Sequence, residues 1–303
     1  VTDSKSIIIE NHTIELTHLN KILFPQTKIT KEDIINYYKD IAPYALPLYK
    51  DRPLTMLRCP NGIDQQTFMQ KEAPSYLPEW IERHKVAKKG GYVTHILMND
   101  QATFVYLANQ ACISFHLALS TIEKINYPRY LLFDIDPSTP DLVMLKRVLK
   151  RVKELLDDIA LRGYLQTTGS RGFHVYVPLN REHEFDFVHE FGKKFATVLA
   201  NEYPYEITID QSKATRGERV FIDYARNSYG FNVIAPYSVR TKENAPVATP
   251  IYWDEIAEKK LASQAYHIKN IFQRLKEGLN PWEELSDMGF SLVKANEKLS
   301  KLV

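Results

Sequence analysis

Apolar residues recur along this chain in two rhythms, one of helical period and one of strand period. Leu142, Leu145, Val148, Leu149, Val152, Leu155, Leu156 and Ile159 follow steps of three and four, which predicts an amphipathic helix. Thr139-Pro140-Asp141 opens it with proline at the first helical position, and Gly163 stops it. Phe185, Val188, Phe191, Phe195, Val198 and Leu199 repeat the pattern for a second helix. Between and around them, "RYLLFDI" (129–135), 164–168, 173–178 and "VFIDY" (220–224) read as strands, so the order is β-α-β-β-α-β. Nearer the N-terminus, "IIIENHTIEL" (7–16) predicts a hairpin. Thr30 and Asp33 predict a capped helix running to about Ile41, with Ile34, Ile35 and Tyr38 inward. The stretch 51–84 is rich in loop residues, and "KKGGY" (88–92) is a turn ahead of strand-like "YVTHILM" and "TFVYLA".

This order is the split-βαβ plan, shared by RNA-recognition domains and polymerase-like palms, and it does not by itself choose between them. Composition narrows the class. A hydrophobic share of 44% over 303 residues, with 18 Tyr and 14 Phe, supports a packed core and argues against disorder. A net charge of only +2 excludes a general basic sheath, so a nucleic-acid partner has to be held by local patches. The stripe Lys146, Arg147, Lys150, Arg151 and Lys153 reads as the solvated face of the first palm helix. Cys59 and Cys112 are too few for a disulfide framework or a cysteine zinc site, which fits a reducing cytosol. The expectation is a cytoplasmic protein with no membrane partner, since no apolar run reaches spanning length and no signal-peptide pattern is present. The chain begins "VTDSKS" without Met, which suggests a piece of a longer protein.

The candidate chemistry lies in the palm. "TTGSRGFHVYVP" (167–178) sets Ser170, Arg171 and His174 around a tight turn. Arg171-Gly172-Phe173 resembles the start of the base-stacking strand of RNA-recognition domains, but His174 and Val175 stand where that strand wants a small residue and an aromatic. "FDIDP" places Asp134 and Asp136 on one face of a strand, with Phe133 and Ile135 on the other. Two adjacent anions repel unless a cation sits between them, which suits a hard metal. Asp223 in "VFIDYA" is the third candidate, and three carboxylates from two strands could hold two divalent ions against a triphosphate. The turn's N–H groups, Ser170, Arg171 and His174 could then hold phosphate oxygens. The plainer reading is a turn-starting Asp136, two solvent-facing strand carboxylates and a structural histidine.

Asp134-x-Asp136, then Ser170-x-Gly172-x-His174, then an apolar strand ending in Asp223, resembles the signature of the archaeo-eukaryotic primase superfamily. "LNKILFP", "RPLTMLRCPNGIDQQTFMQK", "FDIDP", "TTGSRGFHVYVPL" and "IAPYSVR" each resemble segments of the polymerase domain of bacterial ligase D, from about Leu16 to beyond Arg240. The resemblance implies an α+β fold in which a split-βαβ catalytic palm, similar to an RNA-recognition domain, is combined with a second mixed α/β lobe. It implies one polymerase domain over 1–303, with a DNA-contacting segment (about 1–50), a catalytic core (about 51–250) and a helical C-terminal segment (about 251–303). The implied activity is template-dependent nucleotidyl transfer that prefers ribonucleotides and extends or fills gapped and broken DNA ends in non-homologous end joining. Mn²⁺ or Mg²⁺ would be the cofactor and an NTP the substrate. Expected partners are DNA ends carrying a 5′-phosphate, the Ku end-binding protein and an ATP-dependent DNA ligase domain in the same or another polypeptide, in a bacterial cytoplasm near the nucleoid. By position, Asp134, Asp136 and Asp223 would be metal ligands, and Ser170, Arg171, His174, His116, Arg219 and Arg240 would surround the nucleotide. Phe68 and Arg58 would meet the template. Lys21, Lys31 and His18 would face the downstream 5′-phosphate, at a helix start with free N–H groups. Leu57 and Met69 depart from the family pattern beside Arg58 and Phe68, and no Lys-x-Asp-Gly ligase motif is present. A replicative-type primase and a non-catalytic nucleic-acid-binding module remain as alternatives.

Overall fold

In the computed structural model, which describes residues 4–302, the N-terminal hairpin pairs β1 (Ser4–Ile9) with β2 (His12–Thr17). Glu10 and Asn11 at its tip both take positive φ, as a two-residue hairpin turn requires. Short strands β3 (Ile22–Phe24) and β4 (Ile29–Thr30) lead into α1 (Lys31–Tyr49). The predicted capping box forms: Asp33 N donates to Thr30 Oγ1, and Thr30 N donates to the Asp33 carboxylate. Ile34, Ile35 and Tyr38 are buried as expected, but the helix does not end near Ile41. It continues through Pro43 and Pro47. Proline at 43 withdraws the N–H that the Lys39 carbonyl would accept, and the Gln101 side-chain amide donates to that carbonyl at 2.7 Å instead.

Two further expectations are corrected nearby. The loop-rich stretch contains β5 (Leu54–Arg58) and β6 (Phe68–Gln70), ahead of the hairpin β7 (Arg83–Lys88) and β8 (Gly91–Ile96) that turns at Lys89-Gly90. "TFVYLA" belongs to a helix, α2 (Gln101–Asn109), capped by Asp100, whose carboxylate accepts from Thr103 N at 2.6 Å. Phe104, Val105, Leu107 and Ala108 are all buried, so no polar stripe betrays the helical period. With β9 (Cys112–Ala118) these strands form a four-stranded sheet in the order Asn232–Ile234, β9, β5, β6. The unit they build takes in the chain to Glu123, with Asn232–Ala248 and Tyr266–Glu277.

A second unit takes in Lys124–Phe231, Thr249–Ala265 and the chain from Gly278 onward. Here β10 (Tyr130–Asp136), α3 (Leu142–Asp158), β11 (Tyr164–Thr167), β12 (Phe173–Pro178), α4 (Phe185–Glu202), β13 (Ile207–Thr208), α5 (Lys213–Arg216) and β14 (Val220–Asp223) follow in sequence. The predicted β-α-β-β-α-β order is therefore present. The sheet runs β13, β14, β10, β12, β11 and finally Pro250–Ile251, with β10 antiparallel to both neighbours. One correction applies to α3: Asp141 is its N-cap, accepting from Val143 N and Met144 N at 2.9 Å, so Pro140 lies before the cap. Leu131, Phe133 and Ile135 are buried, Phe133 stacking on Phe195 of α4 with ring centroids 4.5 Å apart. Alternation along β10 therefore sends Asp134 and Asp136 to the opposite face. The basic stripe on α3 is a paired surface, with Arg147 on Glu206 at 2.9 Å and Lys153 on Asp157 at 2.5 Å. Toward the C-terminus the helices are short, Ile271–Lys276 and Val293–Leu299.

Candidate active site

Three strands of the second unit bring the candidate residues together. Asp134 on β10 stands opposite Asp223 on β14 and opposite His174 on β12. Directly opposed residues in an antiparallel pair share a face, so both carboxylates and the imidazole project from one side. Asp136 lies two residues further along that same face. His174 is 4% exposed, with Nε2 3.4 Å from Asp134 Oδ1. Arg171 Nη2 is 3.9 Å from Asp136 Oδ2.

The turn before β12 is held tightly against β10. Thr168 Oγ1 donates to Gly172 O at 3.0 Å, and Ser263 Oγ donates to the same oxygen at 2.8 Å. Ser170 N donates to Thr168 Oγ1, and Gln264 Nε2 donates to Ser170 O at 2.7 Å. Gly169 takes φ 64°, which an L-residue adopts only at a cost. Gly172 is required for a different reason: a Cβ there would overlap the Ile135 carbonyl oxygen and lie 3.0 Å from Asp136 Oδ1. A cavity of about 520 Å³ opens beside this turn, lined by Pro137, Pro140, Leu142, Ser170, Arg171 and Gln264.

Electrostatically the site favours a cation. Burial, and then the charge of Asp134, raise the Asp136 carboxyl above its ordinary range, against the pull of Arg171, His174 and Arg216. Burial raises Asp223 too, with Asp134 adding to it, while Arg226 and the Ala225 N–H act the other way. Arg226 Nε sits 3.2 Å from Asp223 Oδ2, and Ala225 N donates to Oδ1 at 2.9 Å. Asn227 anchors this segment, accepting from Leu132 N and donating to Leu132 O, both at 2.7 Å. Among the described residues no group of three His, Cys, Asp or Glu side chains is drawn together closely enough to hold a metal. The contacts explain why: Asp223 is turned to Arg226 and Ala225, and Asp134 faces His174. The donor set nonetheless fits a divalent cation. Three hard oxygen ligands share one face, and two of them are disfavoured as anions where they stand.

Arg219, expected beside the nucleotide, spends its guanidinium on the Thr215 and Arg216 carbonyls, at 2.7 and 3.0 Å. Arg216 instead adds to the pull of Arg171 and His174 on Asp136, its guanidinium carbon 3.6 Å from the Phe221 ring centroid. Sequence reasoning missed both Arg216 and Arg226. A cation three residues after a strand-ending aspartate was the available signal for the second.

The remaining candidates lie in the first unit. His116 is half-buried on β9 opposite Thr55, and Arg240 is half-buried with its N–H donated to Pro246 O at 2.7 Å. Arg58 lies over Phe68, 5.5 Å from its ring centroid, and donates to Tyr76 Oη at 2.7 Å and Gln70 Oε1 at 3.1 Å. Phe68 is 42% exposed and Met69 53%, leaving an open aromatic and thioether surface on β6. Lys31 is buried and donates to the Thr17 carbonyl, while Lys21 donates to Asn61 Oδ1 at 2.8 Å. Burial, and then Lys21, push the Lys31 amine down to about 8. His18 is exposed, with φ 53°. The start of α1 is not open as expected: Lys31 N donates to Lys21 O and Glu32 N to Leu19 O, so an anion there would have to be held by side chains.

Known proteins are similar to this chain. A family model described as "LigD, primase-polymerase domain" matches residues 30–282. The bifunctional non-homologous end joining protein LigD of Bacillus subtilis is 31% identical over 87% of this chain. The multifunctional non-homologous end joining DNA repair protein LigD of Mycobacterium tuberculosis is 32% identical over 84%. The chain spans 43% and 34% of the lengths of those two proteins. A solved structure, the polymerase domain of Mycobacterium tuberculosis ligase D in complex with DNA, superposes with a TM-score of 0.86 at 29% identity. That match covers 91% of this chain and 99% of the solved one.

Proposed function

Because the chain belongs to the LigD primase-polymerase family, we propose that it transfers nucleotides onto gapped or broken DNA ends in non-homologous end joining, copying a template and preferring ribonucleotides. The observation that carries this reading is the row Asp223, Asp134 and His174 across three strands, with Asp136 on the same face. Asp134, Asp136 and Asp223 would hold Mn²⁺ or Mg²⁺, in a two-ion arrangement that neutralises charge at the α-phosphate and lowers the pKa of a primer 3′-hydroxyl. Ser170 and Arg171, on the pinned turn, would take phosphate oxygens of the incoming nucleotide, and His174 would donate to one from Nε2. Arg216 stands close enough to Asp136 to add positive charge there.

In the first unit, the exposed Phe68 ring with Arg58 behind it suits stacking on the template. Lys31 and Lys21 repel each other in the free protein, which supports a 5′-phosphate site: an anion between them would offset that repulsion and raise the Lys31 pKa again. His18, exposed nearby in sequence, would assist. Ku and a DNA ligase domain are the partners this role requires, at the bacterial nucleoid. The test is incorporation of labelled ribonucleotide on a gapped duplex with and without Mn²⁺. Incorporation that depends on divalent ion and fails in Asp134→Ala, Asp136→Ala and Asp223→Ala is the expected result. Tight nucleic-acid binding with no incorporation under any metal would favour the binding-module reading.

A further inference from the structure

The cross-strand row holds a fourth residue that nucleotide binding does not use. Gln166 on β11 stands opposite His174 on β12, so both side chains leave one face with Cβ atoms about 5 Å apart. Gln166 is fully buried, yet neither its amide nitrogen nor its amide oxygen has a hydrogen-bonding partner. His174 Nδ1 is also buried without one, while Nε2 faces Asp134 Oδ1 at 3.4 Å. Unpaired buried polar groups are costly, and here they lie on adjoining strands of one sheet.

We propose that Gln166 Nε2 donates to His174 Nδ1 and thereby holds the neutral imidazole with its proton on Nε2. The direction follows from the chemistry. Nε2 looks at a carboxylate, which only accepts, so a bare ring nitrogen there would set lone pair against lone pair. The proton therefore belongs on Nε2, and a neutral ring then offers Nδ1 solely as an acceptor. An amide supplies the donor this acceptor needs; a carboxylate or an apolar side chain does not. Rotation about the terminal side-chain torsion of glutamine, which is soft, would turn the amide toward it. This inference rests on the reading of His174 as a nucleotide-binding residue, since Nε2–H is the group assigned to a phosphate oxygen. Gln166 is thus a positioning residue: it acts through His174 and touches no substrate.

Nitrogen NMR of the full chain carrying ¹⁵N-labelled histidine reads the tautomer directly. It is recorded at a pH where the ring nitrogens give the separate protonated and bare shifts of a neutral imidazole. In the unmutated protein His174 should be protonated on Nε2 and bare on Nδ1. Gln166→Glu should move the proton to Nδ1, and Gln166→Met, which keeps the volume, should lower the share of the Nε2 tautomer to what Asp134 alone sustains. Binding of a fluorescent ribonucleoside triphosphate should weaken about tenfold in Gln166→Glu, the worth of one hydrogen bond to an anion. The rise should fall on KM more than on kcat. A general packing defect would lower thermal stability without relocating a ring proton. Protonation of Nδ1 in the unmutated protein overturns the proposal, as does an unchanged tautomer in Gln166→Glu. If the tautomers behave as stated but no nucleotide binds, the nucleotide reading falls and the Gln166–His174 pairing stands.

Discussion

Gly172 and the aspartates of the candidate site show how much of it depends on single residues. Gly172→Ala has no room for its methyl against the Ile135 carbonyl. It should cost about 1–3 kcal/mol of stability in urea denaturation and weaken nucleotide binding by shifting the Ser170–Arg171 turn. Asp136 and Asp223 have the opposite relation to stability. Their carboxyl pKa values are raised by burial and by Asp134, so on acidification the folded chain takes up protons before the unfolded one. Their contribution to metal-free stability therefore grows as pH falls from neutral toward the raised values, and is least favourable at and above neutrality. Asp136→Asn should raise the metal-free melting temperature at neutral pH while lowering incorporation at least about a hundredfold, the scale of losing a ligand that stabilises transition-state charge. Calorimetry and a gap-filling assay on one preparation check both halves. Asp134, Asp136 and Ser170-x-Gly172-x-His174 could be picked out from spacing alone, because strand alternation dictates which side chains share a face. Arg216 could not, because its closeness to Asp136 comes from the fold and from no local spacing; Arg226, three residues after Asp223, offered that spacing as a signal.

Among the elements, α1 shows local and tertiary signals acting together. Its start was legible, since Thr30 and Asp33 cap each other through a fixed three-residue spacing. Thr30→Ala should cost about 1 kcal/mol, measurable as a shift in the urea midpoint. Its continuation past Pro43 was not legible, because the amide that takes the freed Lys39 carbonyl comes from Gln101, far along the chain. Gln101→Ala should cost about 1–3 kcal/mol through that unpaired carbonyl, with exchange of amide hydrogens accelerating around Lys39 more than at the start of α1. The strand expectation for "TFVYLA" failed for a related reason. Aromatic and β-branched residues suit a strand by propensity, but Asp100 caps a helix there and burial on nearly every side removes the polar face that would have revealed it.

For the whole molecule, the sharpest expectations concern how it selects DNA. Lys21→Glu with Lys31→Glu should abolish preference for 5′-phosphorylated gaps while sparing extension on a simple primed template, compared by competition between the two substrates. Lys31 also sets a pH dependence. With its amine near 8 in the free protein, it is charged below that value and neutral above it, so the phosphate preference should hold near pH 7 and fade as pH rises toward about 9. Preference that survives at high pH would assign the phosphate to Lys21 without Lys31.

By itself the sequence determined the palm's element order, the shared face of Asp134 and Asp136, the turn around Gly172 and the family to which these motifs belong. Those features depend on spacings of two to five residues, where backbone geometry leaves few choices. Tertiary structure decided the rest. Strand pairing put Asp223 and His174 on either side of Asp134 and set Gln166 against His174. Burial then lifted the pKa of two carboxylates and lowered that of Lys31. Pairing and burial depend on which distant segments meet, and no local pattern of residues encodes that.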